Sequence, residues 1–202
     1  MTRTVSRRNF MIMSGAVGIA VATGARAAPL SSSALSPVLL GRALAAFSRH
    51  RDGFTHVDRI GIVDFAKASL VPRLFIVDIA TGEAHSHLVA HGRGSDPTRT
   101  GWAQSFSNEP GSLASSSGAF ITGAEYRGRH GRSLHLSGLD PENCNAKLRA
   151  IVVHSAWYVS PQIAADTGML GRSEGCFAVS DASLSTVLDQ LGPGRLLFAG
   201  KA

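Results

Sequence analysis

RAIVVHSAWYVS (149–160) and LGRSEGCFAVS (170–180) are the two stretches on which the fold and chemistry of this chain turn. Ile151, Val152 and Val153 form a β-branched run ending at His154. The pattern predicts a strand over 149–160, with an imidazole where a buried sheet opens to solvent. Twenty-two positions after that histidine, Ser173, Glu174 and Gly175 lead into Cys176. A glycine there lets the backbone bend tightly and turn its amide N–H groups outward.

The surrounding sequence repeats the strand signal. RIGIVDF (59–65), RLFIVDIA (73–80), HSHLVAH (85–91), GAFITGAEYRG (118–128), RSLHLSGL (132–139) and RLLFAG (195–200) are short β-branched or alternating runs. Pro, Thr-Gly and polar clusters separate them. Two segments break the pattern. PVLLGRALAAFSRH (37–50) follows Ser36 and sets Val38, Leu39, Ala43, Ala46 and Phe47 at helical spacing, so it predicts an N-terminal helix. DASLSTVLDQLG (181–192), with Asp181 as its cap and Gly192-Pro193 as its stop, predicts a short C-terminal helix. Together these give a mainly β, largely antiparallel single domain, a size that 202 residues supports.

The formal charge of +6 suggests a polyanion partner until its distribution is read. Arg3, Arg7, Arg8 and Arg26 fall within the first 27 residues, which contain no acid; the rest holds 16 basic and 14 acidic residues. No basic aromatic patch supports nucleic-acid binding. The first 27 residues instead resemble a twin-arginine export signal. Ser6-Arg7-Arg8-Asn9-Phe10 precedes a mildly apolar run from Met11 to about Ala22, and Ala25-Arg26-Ala27 fits a cleavage site. The run is too short and too rich in Gly, Ser and Thr to span a bilayer well, so no stable membrane span is expected after its removal. The expected organisation is a signal peptide at 1–27, a Ser-rich linker at 28–36 and a catalytic domain at 37–202, exported to the periplasm or cell wall.

Within that domain, Cys144 and Cys176 are too few for a disulfide framework. A cysteine attacks as its thiolate, which needs a neighbouring base or positive charge to form. His154, at the end of its strand, is the natural base for Cys176, and its imidazole is expected to lower the thiol pKa. The spacing alone equally fits an inert buried thiol and a core histidine.

The motifs go further than the spacing. VVHSAWYVS with LGRSEGCFAVS resembles the His…Ser-x-Gly-Cys signature of the L,D-transpeptidases, cysteine enzymes of peptidoglycan remodelling. IVDFAKAS, RLFIVDIATG, VAHGRGSD, FSNEPGSLASSSGAFITGAEY, GRHGRSLHLSGLD and the terminal LLFAG follow the order of its murein L,D-transpeptidase catalytic-domain (YkuD-like) branch, from about Arg59 to Gly200. The resemblance implies a β-sandwich with an N-terminal helix and a short C-terminal helix. It implies cofactor-free acyl transfer on stem peptides and acylation by carbapenem inhibitors. By the same resemblance Cys176 is the nucleophile, His154 its base, and the Ser155 carbonyl orients the imidazole. The Gly175 and Cys176 amides hold the oxyanion, and Ser173 is the serine of the signature.

Two features depart from the common pattern: Glu174 stands where many relatives have His, and Phe177-Ala178-Val179 replaces a basic or amide residue shortly after the cysteine. The 22-position spacing is also longer than usual. Arg172 is the candidate substitute cation for a substrate carboxylate. In HGRGSD (91–96), Gly92 and Gly94 allow close backbone approach and Arg93 offers a second fork. The serine tract 111–120 takes the place of a cleft-lining loop. Metal chemistry is the rival: His85, His87, His91, His130 and His135 supply imidazoles. No acidic partner or H-E-x-x-H pattern accompanies them, so no metal site is expected. Three functions stay open: transpeptidation, hydrolysis by the same pair as an L,D-carboxypeptidase or cross-link hydrolase, and a silent wall-binding protein.

Overall fold

The computed structural model describes residues 35–202; the expected export signal and most of the linker lie outside them. Helix α1 (Pro37–Arg49) begins where Ser36 accepts the Leu39 N–H and Pro37 enters the first turn. Strands β1 (Arg59–Asp64), β2 (Leu74–Asp78) and β3 (Ala84–His87) follow. Next come β4 (Gly118–Gly128) and β5 (Gly131–Gly138), a hairpin with Arg129 and His130 at its tip. The remaining elements are β6 (Val152–Ser155), α2 (Pro161–Thr167), β7 (Phe177–Val179), α3 (Asp181–Leu191) and β8 (Leu196–Gly200).

The strands form one sheet in the order β3-β2-β1-β8-β4-β5-β6-β7. Pairing is antiparallel except for β1 with β8 and β6 with β7. The two ends of the sheet meet: Val89, just past β3, bridges Val179 in β7, and Gly92 bridges Ser173. The sheet thus folds over on itself as a sandwich, with the segment 89–93 laid against 173–179.

Alternation sorts the side chains into the two layers. Val63, Leu74, Ile76, Phe120, Leu134, Leu136, Val153, Phe177 and Leu197 pack in one core beneath α3, which contributes Val187, Leu188 and Leu191. Ile60, Ile62, Phe75, Val77, Ala119, Leu196 and Phe198 face the other way, onto Leu39, Ala43 and Ala46 of α1. β1, β2 and β8 are therefore covered on both faces, which is why they read as continuous apolar runs. Among the described residues, no helix is long and apolar enough to cross a membrane.

The structure corrects four local expectations. The strand expected over 149–160 is confined to Val152–Ser155, because Ala150 adopts φ 52° and leaves the sheet path. Its downstream half becomes a turn and then α2, capped by the Ser160 hydroxyl with Pro161 in the first turn. The stretch expected as one strand over 85–91 is regular only to His87, and reaches β7 by isolated bridging. Ser180, not Asp181, caps α3: its extended backbone precedes the helix and its Oγ accepts from Ser183 N at 3.2 Å, while Asp181 is already helical.

Candidate active site

The parallel pairing of β6 with β7 positions the two candidate catalytic side chains. The register sets Val153 beside Phe177 and His154 beside Ala178. Extending it by one residue puts Cys176 level with Val152, so Cys176 and His154 lie on one face of neighbouring strands, two residues apart along the strand direction. They share a cleft of about 680 Å³. Its floor and walls come from the two strand starts, the hairpin tip and the serine-tract loop.

His154 is 2% exposed, and its Nδ1 lies 2.8 Å from the Ser155 carbonyl. A carbonyl only accepts, so Nδ1 carries the hydrogen and Nε2 presents a lone pair. Burial pushes the His154 pKa below its ordinary value, and the charges of His130 and Arg129 add to this despite the Ser155 bond. The imidazole is held as a neutral base. His130 stacks on it at 4.2 Å between ring centroids.

Cys176 is partly exposed and a free thiol, as is the exposed Cys144. Its Sγ lies 3.6 Å from the Ala150 carbonyl. Burial raises the Cys176 pKa; the Val152 N–H, Arg149 and Arg129 oppose that rise, and Glu174 adds to it. The resting thiol is therefore above, not below, the ordinary cysteine value, contrary to the expectation from an adjacent imidazole. The sulfur is only partly open to water, so a charge there is poorly solvated.

The turn before Cys176 is tied down from several sides. Ser173 Oγ donates to the Cys176 carbonyl at 2.7 Å and accepts from Gly175 N at 3.2 Å. Ser173 N donates to the His91 carbonyl, and its own carbonyl accepts from Arg93 N. Gly175 has φ 115°, and a Cβ there would sit 2.7 Å from the Ala114 carbonyl. Only glycine fits. After the cysteine, Phe177 lies against Phe65 and edge-on to Phe120, which anchors the Cys176 turn in the core.

Arg172 lines the cleft, and its guanidinium donates to the Asp96 carbonyl. Arg93 does not line the cleft; it pairs with Glu174 at 2.9 Å across the exposed rim. The serine tract does contribute, through Gly111 and Leu113. Leu113 and Ala150 both hold positive φ, at 58° and 52°, so local strain collects at this cleft.

The remaining histidines disperse. His85 lies by Glu83, His135 stacks on Tyr126, and His87 is half-buried on β3. His91 joins a buried network, its Nδ1 taking a bond from Arg73 at 2.7 Å while its Nε2 faces Asp96 at 3.4 Å.

Sequence reasoning missed Arg129, Tyr158 and Arg149, all of which line the cleft, and weighed His130, which also lines it, only as a metal ligand. His130 and Arg129 carry one usable signal, their place between Gly128 and Gly131 at a tight hairpin tip. Arg149 stands beside the apolar run, but nothing local says that its side chain turns toward Cys176. With Arg129, Arg149 and Arg172 against Glu174, the cleft is predominantly basic.

A family model described as the L,D-transpeptidase catalytic domain matches residues 31–199. Comparison with curated proteins gives no match. Among solved structures, an L,D-transpeptidase from Mycobacterium smegmatis is 12% identical, with 71% of this chain and 58% of that chain covered and a TM-score of 0.43. An L,D-transpeptidase from Xylanimonas cellulosilytica is 14% identical, with 78% and 68% covered and a TM-score of 0.42. The chain thus spans less than two thirds of the Mycobacterium smegmatis protein's length.

Proposed function

Because the chain belongs to the L,D-transpeptidase catalytic-domain family, we propose that it is a peptidoglycan-modifying acyltransferase working through a Cys176 thioester. The observation that carries this reading is that a neutral His154, its Nδ1–H bound to the Ser155 carbonyl, and Cys176 line one basic cleft at the start of the paired strands β6 and β7. Stem peptides bear several carboxylates, and a cleft rich in arginine suits them.

In the first half-reaction the thiol proton passes to His154 Nε2 as Sγ bonds to the carbonyl carbon of the scissile peptide. The Cys176 and Gly175 N–H groups are the proposed oxyanion donors, the latter leaving its long bond to Ser173 Oγ. The C–N bond breaks and His154 returns the proton to the leaving amine. An acceptor amine then attacks the thioester, giving up a proton through His154, and the thiol is restored. If water replaces that amine, the same machinery is an L,D-carboxypeptidase or cross-link hydrolase. Such chemistry belongs outside the cytoplasm, consistent with the export signal read at 1–27.

The test is incubation of the purified protein with muropeptides, followed by mass spectrometry. New cross-links support transpeptidation, and trimmed stems support hydrolysis. The carbapenem imipenem should add its mass to the peptide containing Cys176. Unchanged muropeptides and unchanged protein mass would instead leave a wall-binding protein that keeps the fold.

A further inference from the structure

We propose that Arg149 is the fixed cation that holds negative charge on Cys176, a role the residues after the cysteine cannot fill. Phe177, Ala178 and Val179 are all buried in the core, so no charge reaches the sulfur from β7. Arg149 approaches from the loop before β6. Its Nη1 donates to the Ser107 carbonyl at 2.7 Å and to Ser116 Oγ at 2.6 Å, and its Nη2 donates to the Ala114 carbonyl at 2.5 Å. These bonds fix the guanidinium plane against the nucleophile turn: a Cβ on Gly175 would lie 3.1 Å from Nη2.

The acceptors are two neutral carbonyls and a hydroxyl, so they position the guanidinium without neutralising it. Two of its five donors, Nε–H and one Nη2–H, are left over by these bonds. A purely structural clamp could use a neutral amide. Arg149 keeps its positive charge in the wall of the cleft that contains Cys176, where low solvent access makes that charge effective. Burial lowers the Arg149 pKa, with Cys176 and Glu109 opposing that fall, and Arg149 in turn lowers the Cys176 pKa against its own burial. The other groups acting on the thiol are Arg129 from the hairpin tip, Glu174 from its own turn and the Val152 N–H from β6. His154 and Tyr158 share the cleft.

This deepens the reading of Cys176 as nucleophile and rests on it, but its test needs no substrate. Alkylation of Cys176 by iodoacetamide is followed against pH in the full protein carrying Cys144→Ser. Arg149→Gln retains amide donors for the loop and loses the charge. Its alkylation midpoint should rise by about one unit, with several-fold slower reaction at neutral pH. Arg149→Lys keeps the charge and should stay within about 0.3 unit of the parent. A folded Arg149→Gln protein with an unmoved midpoint overturns the proposal. If that variant does not fold, Arg149→Lys carries the test, and a rise beyond about half a unit overturns it. A parent protein that alkylates with an Arg149-dependent midpoint yet leaves muropeptides untouched would refute the acyltransferase reading and uphold this one.

Discussion

His130 lies over His154 with the ring planes 25° apart, covering the candidate base from the tip of the β4–β5 hairpin. The neighbour disfavours protonation of His154, adding to burial. His130→Ala should therefore raise the His154 pKa. Since only neutral imidazole accepts the thiol proton, the acid limb of the activity profile should shift to higher pH. Activity well above that limb should change less. A limb that stays in place, or moves to lower pH, would show that the stacked ring does not tune the base.

Replacing each cysteine in turn separates the two thiols. Cys176→Ala should abolish turnover while changing stability by less than about 1 kcal/mol, because a partly exposed thiol adds little packing. Cys144→Ala should retain most activity, since that exposed sulfur contacts Asn108 outside the cleft lining. Equal losses from both variants, measured by muropeptide turnover, would be incompatible with Cys176 as the nucleophile.

Gly175→Ala should fail for two reasons at once. It places a side chain at φ 115° and drives a methyl into the Ala114 carbonyl at 2.7 Å. The expected cost is about 2 kcal/mol or more, with loss of turnover, because relief of the clash moves the Cys176 turn. Urea denaturation and a turnover assay on the same preparation check both effects. Wild-type stability in that variant would mean that the turn is looser than the geometry indicates.

Acid should weaken the fold through buried histidines. Burial, reinforced by Arg73, holds His91 down to about 4, below its ordinary 6.5. The unfolded chain thus binds a proton that the folded chain refuses between those values. Stability is complete above about pH 6.5 and falls as pH drops toward 4, at up to about 1.4 kcal/mol per unit for such a group. His87 and His154 are lowered in the same sense and steepen the loss. Asp96 adds its own loss only at lower pH. Burial raises its pKa, but bonds from Thr100, Gly101 and His91 outweigh that and hold it near 2. His91→Gln can accept from Arg73 and donate to Asp96 without titrating, so its stability should fall less between pH 7 and 5. Identical urea midpoints for the two proteins at every pH would remove His91 from the account.

The Glu174–Arg93 pair is rim-exposed on both sides, at 59% and 52%, so Glu174→Gln should alter stability by less than about 0.5 kcal/mol. It should nevertheless lower the alkylation midpoint of Cys176, because the carboxylate disfavours the thiolate. A higher midpoint would contradict that electrostatic role.

The unbroken apolar runs Ile60–Val63, Leu74–Val77 and Leu196–Ala199 marked three strands, which the structure buries on both faces, and Ser36-Pro37 determined where α1 starts. The glycine turn into Cys176 and the histidine at its strand end were equally plain, since backbone freedom and β-branching are local properties. Even α2 was signalled, by a Ser160-Pro161 pair like the one before α1, and was obscured only by reading 149–160 as one strand. What sequence could not decide was which strands become neighbours. Alternation states which face is buried but carries no name for the partner, so the parallel seating of β6 on β7 and the meeting of Val89 with Val179 exist only through non-local hydrogen bonds. The same holds for Arg149, whose direction is set by acceptors at Ser107, Ala114 and Ser116, more than thirty residues away. Cys176 could be singled out from the chain; the surroundings that govern its charge were decided by tertiary packing, because electrostatics depends on distance and solvent exposure rather than on order along the backbone.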